Sequence, residues 1–432
     1  CVLARATLAE VRRWVRQGRL CFTMVSAMGM PAVLVSCLVF FQVQSGLGQR
    51  TQDARLREEA DSRKAVEVKR VTVDLDLPPS QRWAFLKTDP DFAHYKEDVI
   101  SYISPYLSPK ILPLVSKIAL SMEHTFYADY AEEMRAIARD LNMTDGELVL
   151  LNLLYQIEGA FSKCELQNTT GPCAPKGPGL CSGLIANGQG RDDVVWQGRN
   201  MDWNFPPKLL AYVMQVDYKR GGSTLFSAVQ LAGMVGTLHG IRKGGFSVQL
   251  NARYEGGKLL PNFFEDVLRG GKTPTHVMRR VFEDSVTFDE AEGVLSTERL
   301  VNPGYLIMAG SEHGVGAIVT RGREKADDVW HLYEDSAKDT KGINVQPEWF
   351  RLQTNYDHWK AAPSYDDRRT PGVAHAKQFL KDGVNEKSVL NVMTAWPTKN
   401  FHTDITSVMC PHTGFIKTWK WMPSAAAEVL VV

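Results

Sequence analysis

Two different spacings of apolar residues divide the chain near residue 180. Between residues 78 and 161 the apolar positions recur every three or four residues, as in the stretch from Tyr130 to Leu141, which is the pattern of amphipathic helices. Thr144-Asp-Gly-Glu147 is a capping-box signature, and the apolar run 148–155 directly after it predicts a buried helix. The first part of the body is therefore predicted to be helical.

Beyond residue 180 the apolar runs become short and are bounded by turn residues, which indicates strands. Cys181–Ala186 and Val194–Gln197 read as the two strands of a hairpin with its turn at Asn187-Gly188. A helical front, many strands and a few inserted helices predict an α+β fold with stacked sheets and helices on the outer faces. Further strands are predicted at 212–218, 224–229, 245–250, 305–309, 317–320, 329–333 and 350–354, and helices near 263–269, 275–282 and 288–295.

A segment rich in Gly and Pro lies between these two regions. It covers residues 162–180, contains Cys164 and Cys173, and has few apolar side chains. Such a composition predicts an exposed loop that a protease can reach.

Composition limits the class of protein. Hydrophobic residues make up 44% of the chain and charged residues 23%, which is ordinary for a globular protein. Fifty basic and 49 acidic side chains leave a net charge of +1, so no positive field favours a nucleic-acid partner. The 432 residues permit two or three domains or one large α/β unit.

The amino-terminal pattern predicts a secretory leader over residues 1–48. Four arginines between residues 12 and 19 precede an uncharged run, 20–43, and small residues follow as far as Gly48. An uncleaved membrane anchor is the alternative, because the run is long enough to span a bilayer. Residues 49–70 read as a polar linker. Asn142 and Asn168 stand in sequons, so a lumenal chain would offer both for glycosylation.

The cysteines favour neither a disulfide scaffold nor a metal site. Three of the seven lie in the predicted leader, which leaves too few for a scaffold. No Cys/His spacing is typical of zinc, so no metal is predicted. The cysteines are Cys1, Cys21, Cys37, Cys164, Cys173, Cys181 and Cys410.

The predicted hairpin brings together three side chains that can carry chemistry. Cys181 opens the first strand, and Arg199 and Asp202 lie at the far end of the returning strand, so all three should be neighbours. A cation lowers the pKa of a thiol and a carboxylate can orient an amine, so the trio is a candidate nucleophile site. The alternative is a buried cysteine beside a structural ion pair.

Four segments in order resemble one known family, that of acid ceramidase and N-acylethanolamine acid amidase, which belong to the N-terminal-nucleophile hydrolases. The opening segment at 73–83 is also similar, so the resemblance runs from about residue 71 to about residue 422. The four segments are Cys181-Ser-Gly-Leu-Ile-Ala186, Gly198-Arg-Asn-Met-Asp-Trp203, Gln353-Thr-Asn-Tyr-Asp-His-Trp359 and Asp366-Asp-Arg-Arg-Thr-Pro371.

The resemblance implies a four-layer αββα sandwich and a zymogen that cuts itself. Cleavage between Leu180 and Cys181 would separate a helical α-chain, 71–180, from a catalytic β-chain, 181–432, and the two would remain together as a heterodimer. The freed α-amine of Cys181 would then act as the base for its own thiol. The family implies no metal and no organic cofactor.

The same resemblance assigns roles to further residues. Asp202 would contact the amine and Arg199 the reacting centre, while Asn355 and Asn251 would lie at the oxyanion. Arg368 would orient Asn355 or the cleavage site. Read from the residues alone, Asn355 is equally a turn residue and Arg368 half of a surface ion pair with Asp366 or Asp367.

The chain also departs from the family pattern. Cys181-Ser-Gly replaces the usual Cys-Thr-Ser, an insertion precedes the nucleophile, and Ala252 stands where relatives often carry Glu. Cys164 is rejected as a rival nucleophile because the residues after it cannot form the entering strand. We expect it instead to form a small disulfide with Cys173.

The expected function is that of a lysosomal acid amidase acting on fatty-acid amides, with N-acylethanolamines favoured and ceramide the alternative. A phospholipase B-like hydrolase and a non-catalytic lipid-binding protein are further alternatives, whereas no His has the context of a papain-type protease. The lipid substrate is the expected partner. The apolar helices at 111–122 would either line its channel and contact a membrane surface or pack in the core.

Overall fold

Two β-sheets carry the body of the protein. The computed structural model describes residues 57–58, 62–106, 112–160, 180–188, 190, 193–203, 205–253, 267, 269, 271–334, 342–364 and 366–424. The strands are β1 (Lys64–Glu67), β2 (Lys69–Asp74), β3 (Leu180–Asn187), β4 (Val195–Asp202), β5 (Val213–Arg220), β6 (Ser223–Leu231), β7 (His239–Arg242), β8 (Phe246–Ala252), β9 (Gly304–Gly310), β10 (Gly316–Arg321), β11 (Ala326–His331), β12 (Phe350–Gln353), β13 (Ile405–Cys410) and β14 (Phe415–Met422).

Helices lie before the sheets in sequence and between their strands. Four-residue helices at Phe85–Thr88, Met122–Thr125 and Pro207–Leu210 connect longer elements. The longer helices are α1 (Tyr95–Ile103), α2 (Leu112–Leu120), α3 (Ala128–Asp140), α4 (Asp145–Ala160), α5 (Pro274–Asp284), α6 (Phe288–Thr297), α7 (Arg369–Phe379) and α8 (Glu386–Thr394).

The sheets and helices stack in four layers. The first sheet has the order β1-β14-β13-β4-β3-β12 and the second the order β11-β10-β9-β8-β7-β6-β5-β2. Strands β3 and β4 face β8 and β9 of the other sheet. Helices α7 and α8 cover the outer face of the first sheet, and α5 and α6 cover that of the second. The predicted αββα arrangement is therefore confirmed.

The first sheet is buried on both faces, because helices cover one face and the second sheet covers the other. Neighbouring side chains along β3 therefore point into two different clusters. Leu184 points into the cluster that α7 and α8 form with this sheet. Its neighbour Ile185 points the other way, into a cluster between the two sheets. A side chain at Gly198 of β4 would meet Met393 of α8, with a built Cβ only 2.6 Å from its Cγ. Glycine at this position therefore allows α8 to approach the sheet.

The helical prediction for the first part of the body is confirmed. Helix α4 is buried along most of its length, and α1, α2 and α3 each pack against it. The capping box before it is formed: the Thr144 N–H donates to Glu147 Oε2 at 2.7 Å, and the Glu147 N–H donates to Thr144 Oγ1 at 3.2 Å. Val115 and Ile118 of α2 are buried, which agrees with core packing, whereas Leu112 and Leu120 of the same helix are exposed.

The polar linker predicted for residues 49–70 is wrong near its end. Strand β1 pairs with β14 of the first sheet, and β2 pairs in parallel with β5 of the second. Their side chains are mostly exposed, and Val73 is the only fully buried one of the ten. Edge strands of this kind are held by backbone hydrogen bonds, so they leave little apolar signal in the sequence.

The hairpin differs from its prediction in two details. Its first strand continues to Asn187, and the second begins at Val195, so a loop replaces the two-residue turn. The returning strand also extends to Asp202. Strand β7, which has only four residues, was not predicted.

Several predicted features lie outside the described residues. They are the leader at 1–48, the loop 162–179 with its proposed Cys164–Cys173 disulfide, the Asn168 sequon and most of the helix predicted near 263–269. Residues 60–432 form one unit. In the described part of this unit no helix combines the length and the apolarity needed to cross a membrane.

Candidate active site

The β3–β4 hairpin brings the predicted trio together. Leu180 pairs with Asp202, Cys181 with Met201 and Gly183 with Arg199 in one antiparallel register. Because these strands lie between the helical layer and the second sheet, all three predicted side chains are buried, with exposures of 1% or less. The prediction that they are neighbours is confirmed.

The Cys181 thiol is enclosed on several sides. It is not in a disulfide, and the Tyr155 hydroxyl of α4 lies 3.9 Å from its sulfur. Burial raises the pKa of the thiol, and the charge of Asp202 acts in the same direction. The cation of Arg199, the Asp202 backbone N–H and the cation of Arg368 oppose that rise and lower the pKa.

Arg199 is a buried cation, and some of its N–H donors have no acceptor among the described residues. Its Nη1 donates to the carbonyl oxygens of Leu238 at 3.0 Å and Leu250 at 2.9 Å. Its Nε and Nη2 have no acceptor among the described residues. It also forms no ion pair with a described carboxylate. An unpaired buried guanidinium is unfavourable, so the site is arranged to receive a negative charge.

Asp202 likewise has one free carboxylate oxygen. Its Oδ2 accepts from Arg368 Nη1 at 3.3 Å and from Asn400 Nδ2 at 3.1 Å. Its Oδ1 is buried and has no partner among the described residues. Burial raises the pKa of this carboxyl to about 6, and the charge of Arg368 and hydrogen bonds from the side chains of Thr403 and Asn400 oppose that rise. The free oxygen is therefore ready to accept a hydrogen bond from a further donor.

Arg368 links the residues around the nucleophile. Its Nη1 donates to the Cys181 carbonyl oxygen at 2.8 Å and to Ser182 Oγ at 3.2 Å, and its Nη2 donates to Asn355 Oδ1 at 2.8 Å. Its Nε also bonds to Asp366 at 2.6 Å. Arg368 thus contacts both Asn355 and Cys181, and its ion pair with Asp366 holds the guanidinium in that position. The pair is buried, so its description as a surface pair is wrong.

Asn355 contacts Cys181 through its carbonyl oxygen. Oδ1 accepts from the Cys181 N–H at 2.6 Å, whereas Nδ2 donates to the Ala252 carbonyl oxygen at 2.7 Å. In the intact chain, therefore, the amide nitrogen expected at an oxyanion is bonded to the backbone. The structure presents Asn355 as an acceptor for the nitrogen of Cys181.

Asn251 lies on β8 in a row of buried polar side chains. Its Nδ2 donates to the carbonyl oxygens of Gln353 and Thr354, both at 3.3 Å, and its Oδ1 accepts from Gln249 at 3.2 Å. Gln249 also donates to the Ser182 carbonyl oxygen at 3.3 Å. A Cβ at Gly183 would lie 2.3 Å from the Gln249 amide nitrogen. Glycine at this position therefore leaves room for the Gln249 side chain.

Sequence reasoning did not identify three residues that contact this site. Tyr155 was recognised only as part of a buried helix. Gln249 continues a polar alternation with Ser247 and Asn251 along one face of β8, and this alternation was a usable signal. Asn400 approaches Asp202 from a loop almost 200 positions away, and no local pattern marks it.

The Asp202 region contains a second buried carboxyl group, that of Asp404. Its Oδ2 accepts from the backbone N–H groups of Trp203 at 3.2 Å and Phe205 at 3.0 Å, and it is fully buried. Burial raises its pKa to about 8. Through these two hydrogen bonds Asp404 fixes the backbone at Trp203 and Phe205, directly after Asp202 at the end of β4.

Asp404 makes the stability of the protein depend on pH. Its pKa is higher in the folded chain than the ordinary value near 3.9, so the folded chain binds the proton more tightly and loses stability as pH rises from about 4 to about 8. We expect the free energy of unfolding to fall by roughly 4 kcal/mol between pH 4.5 and pH 7.5 from this group. Urea unfolding at both pH values should show a smaller difference in Asp404→Asn, and an equal difference would contradict the assignment.

Comparison with known proteins shows the family to which the chain belongs. A family model described as the beta subunit of N-acylethanolamine-hydrolyzing acid amidase matches residues 66–127, which include strand β2 and the first helices. An N-acylethanolamine-hydrolyzing acid amidase of Caenorhabditis elegans is 30% identical over 339 residues, which are 78% of this chain and 88% of that protein. The chain belongs to this amidase family.

Acid ceramidases are similar over the same length. The human acid ceramidase is 29% identical over 360 residues, which are 81% of this chain and 85% of that protein. A solved structure of the Caenorhabditis elegans N-acylethanolamine-hydrolyzing acid amidase ortholog matches 54% of this chain and 93% of its own, at 30% identity and a TM-score of 0.45. Both branches of the family named from the sequence motifs are thus among the relatives.

The arrangement of His, Cys, Asp and Glu side chains bears on whether the protein has a metal site. Among the described residues, no group of three or more His, Cys, Asp or Glu side chains has the arrangement of a metal site. At Ala252, where the family resemblance led us to expect Glu, the side chain is buried and the carbonyl oxygen accepts from Asn355.

Proposed function

We propose that this chain is a self-processing amidase that hydrolyses fatty-acid amides, with N-acylethanolamines favoured over ceramide. The observation that carries the proposal is the surround of the buried, free thiol of Cys181. The Cys181 N–H donates to Asn355 Oδ1, and its carbonyl oxygen accepts from Arg368. The Nε and Nη2 atoms of Arg199 and one oxygen of Asp202 have no partner among the described residues. Other buried atoms, such as Arg321 Nε, also lack a partner among the described residues, so it is the position of these groups beside the free thiol that supports a reactive site. Family membership supports the same class of reaction.

Self-cleavage after Leu180 is the proposed first step. The Cys181 sulfur attacks the Leu180 carbonyl carbon, the bond from that carbon to the Cys181 nitrogen breaks, and a thioester forms. The thiol proton passes to the departing nitrogen. Water then hydrolyses the thioester, which leaves a carboxylate on Leu180 and an α-amine on Cys181. Asn355 and Arg368 hold the nitrogen and the carbonyl oxygen of Cys181 during these steps.

Hydrolysis of an external amide would use the same groups. The α-amine takes the thiol proton, the sulfur attacks the amide carbonyl, and the proton is returned to the leaving amine. Asn355 Oδ1 and Asp202 Oδ1 accept from the charged amine, and the positive charge of that amine favours the ionised form of Asp202 at acid pH. The free N–H groups of Arg199 stabilise the oxyanion, a contribution of about 3 kcal/mol in other enzymes. Water completes the cycle by releasing the fatty acid.

The neighbourhood of the thiol favours an apolar substrate. An aromatic row begins at Tyr155, whose ring lies 5.0 Å from that of Trp203. It continues to Phe205 at 4.5 Å and from there to Tyr102 at 5.8 Å. These rings belong to the main hydrophobic core and give the thiol an apolar surround, which supports an apolar group on the substrate.

The choice between the two amide classes rests on sequence. Tyr356-Asp-His-Trp359 and the Asn142 sequon are closer to the N-acylethanolamine enzymes. The identities of 30% and 29% to the two kinds of relative do not separate them. We therefore keep ceramide hydrolysis as the second candidate.

We also propose a lysosomal location and a two-chain mature form. The Asn142 side chain is exposed at the end of α3, where a glycan can be attached. Cleavage after Leu180 would leave the helical chain and the 181–432 chain bound through the core that they share. Exposed Leu112 and Leu120 offer a contact to a membrane surface.

A substrate panel tests the proposal. Purified protein is incubated at pH 4.5, and release of fatty acid is measured from an N-acylethanolamine, a ceramide and a lysophospholipid. We expect hydrolysis of the amides, with the N-acylethanolamine turned over faster. Release from the lysophospholipid alone would replace the amidase with a phospholipase B-like enzyme. Tight binding of the amides with no release would replace it with a lipid-binding protein.

A further inference from the structure

The Tyr155 hydroxyl is the side-chain group that lies against the Cys181 sulfur from the helical part of the chain. Its oxygen is 3.9 Å from the sulfur and 3.1 Å from the Leu250 carbonyl oxygen. The ring packs edge-on against Trp203, with centroids 5.0 Å apart and an interplanar angle of 75°. The hydroxyl is therefore held in one place by ring packing and by the backbone of β8.

The two contacts just described offer the proton of this hydroxyl two acceptors. A phenol has one proton, so while it donates to Leu250 its oxygen can only accept from the thiol S–H. Once the thiol is ionised, the hydroxyl can turn and donate to the thiolate instead. The Leu250 carbonyl then keeps a partner, because Arg199 Nη1 also donates to it at 2.9 Å. The change of acceptor leaves no buried group unpaired.

We propose that Tyr155 is a further catalytic residue of this site, which contacts the reacting sulfur and stabilises the thiolate by donating a hydrogen bond to it. Tyr155 keeps its own proton throughout, and the thiol proton goes to the α-amine of Cys181. The inference rests on the proposed role of Cys181 as the nucleophile. Through Tyr155 the helical chain would contact the reacting sulfur directly, in addition to packing against the catalytic chain.

The replacement Tyr155→Phe removes the hydroxyl and retains the ring. Hydrogen bonds to charged groups are among the stronger ones in proteins, so we expect the kcat for an N-acylethanolamine to fall about tenfold or more while KM changes less than about twofold. The alkylation rate of Cys181 by iodoacetamide should fall by a similar factor below the pKa of the thiol. Mass spectrometry of the peptide that begins at Cys181 measures that rate across a pH series.

Tyr95→Phe is the matched control. Tyr95 is also a buried tyrosine of the helical part, and its hydroxyl donates to the backbone carbonyl of Ala232. Both variants lose one buried hydrogen bond to a carbonyl, so similar losses of thermal stability are expected. Only Tyr155→Phe should change kcat and the alkylation profile. Equal kinetics in the two variants would overturn the proposal.

A second replacement covers the case in which Tyr155→Phe does not fold. Replacing Tyr155 with 3-fluorotyrosine keeps the ring and the hydroxyl but makes the hydroxyl a stronger donor. The alkylation profile of Cys181 should then shift to lower pH, and an unchanged profile would contradict the proposal. If Cys181 itself proves dispensable for hydrolysis, the proposed function fails. If Cys181 is required and the Tyr155 variants behave as wild type, only this inference fails.

Discussion

Cys181→Ala is expected to abolish both cleavage after Leu180 and amide hydrolysis. The sulfur is the only atom removed, and it is the attacking atom in both proposed reactions. Loss of a nucleophile lowers kcat by several orders of magnitude in other hydrolases, so we expect a fall of at least about a thousandfold. Intact mass before and after incubation at pH 4.5 measures the cleavage, and fatty-acid release measures the hydrolysis.

Cys410→Ala provides the control for this change. Cys410 is also buried and free, and it lies on β13, two strands from β3 in the first sheet. Its replacement removes the same atom from the core, so it should split and hydrolyse amides as wild type does. If Cys181→Ala splits normally, another protease performs the cleavage. If it also hydrolyses amides normally, the nucleophile lies elsewhere and the proposed mechanism is wrong.

The parts of the site that local sequence can determine were predicted well. Cys181, Arg199 and Asp202 meet because one hairpin pairs residues 180–187 with 195–202, and two short runs separated by turn residues predict such a local pairing. The capping box before α4 was predicted for the same reason, since its two partners are three residues apart.

The rest of the site depends on long-range contacts. Arg368 reaches Cys181 across 187 positions, and Asn400 reaches Asp202 across 198. Only the family resemblance indicated Arg368, and nothing indicated Asn400. The orientation of the Asn355 amide is likewise set by three neighbours, which are the Cys181 N–H, Arg368 and the Ala252 carbonyl. A sequence motif specifies the residue there but not which end of its amide contacts the nucleophile.

Strands β1 and β2 could not be predicted from the sequence for a different reason. Alternation reveals a strand when one face is apolar and buried. The exposed side chains of Lys64–Glu67 cannot produce that pattern, and those of Lys69–Asp74 produce it only weakly. Their place in the sheets follows from backbone pairing with β14 and β5, which the sequence of either strand alone does not encode.

Arg199→Met is expected to lower kcat for amide hydrolysis by a hundredfold to a thousandfold, the order of magnitude seen when an oxyanion donor is removed. The reason is that the free Nε and Nη2 donors of Arg199 are the unused cationic groups next to the thiol. Self-cleavage should slow by a similar factor, because it passes through the same kind of oxyanion. Rates of fatty-acid release and of splitting at pH 4.5 measure the two effects.

Stability separates this catalytic role from a structural one. The two carbonyls that Arg199 bonds keep other donors, since the Leu250 N–H donates to Leu238 at 3.1 Å and Tyr155 donates to Leu250. Removing an unpaired buried charge should therefore leave the melting temperature unchanged or raise it. Arg321→Met is the opposite case: this buried arginine bonds Ser296 and Glu298 at the end of α6, so its loss should reduce stability and leave activity intact. A destabilised but active Arg199→Met variant would show that Arg199 is structural.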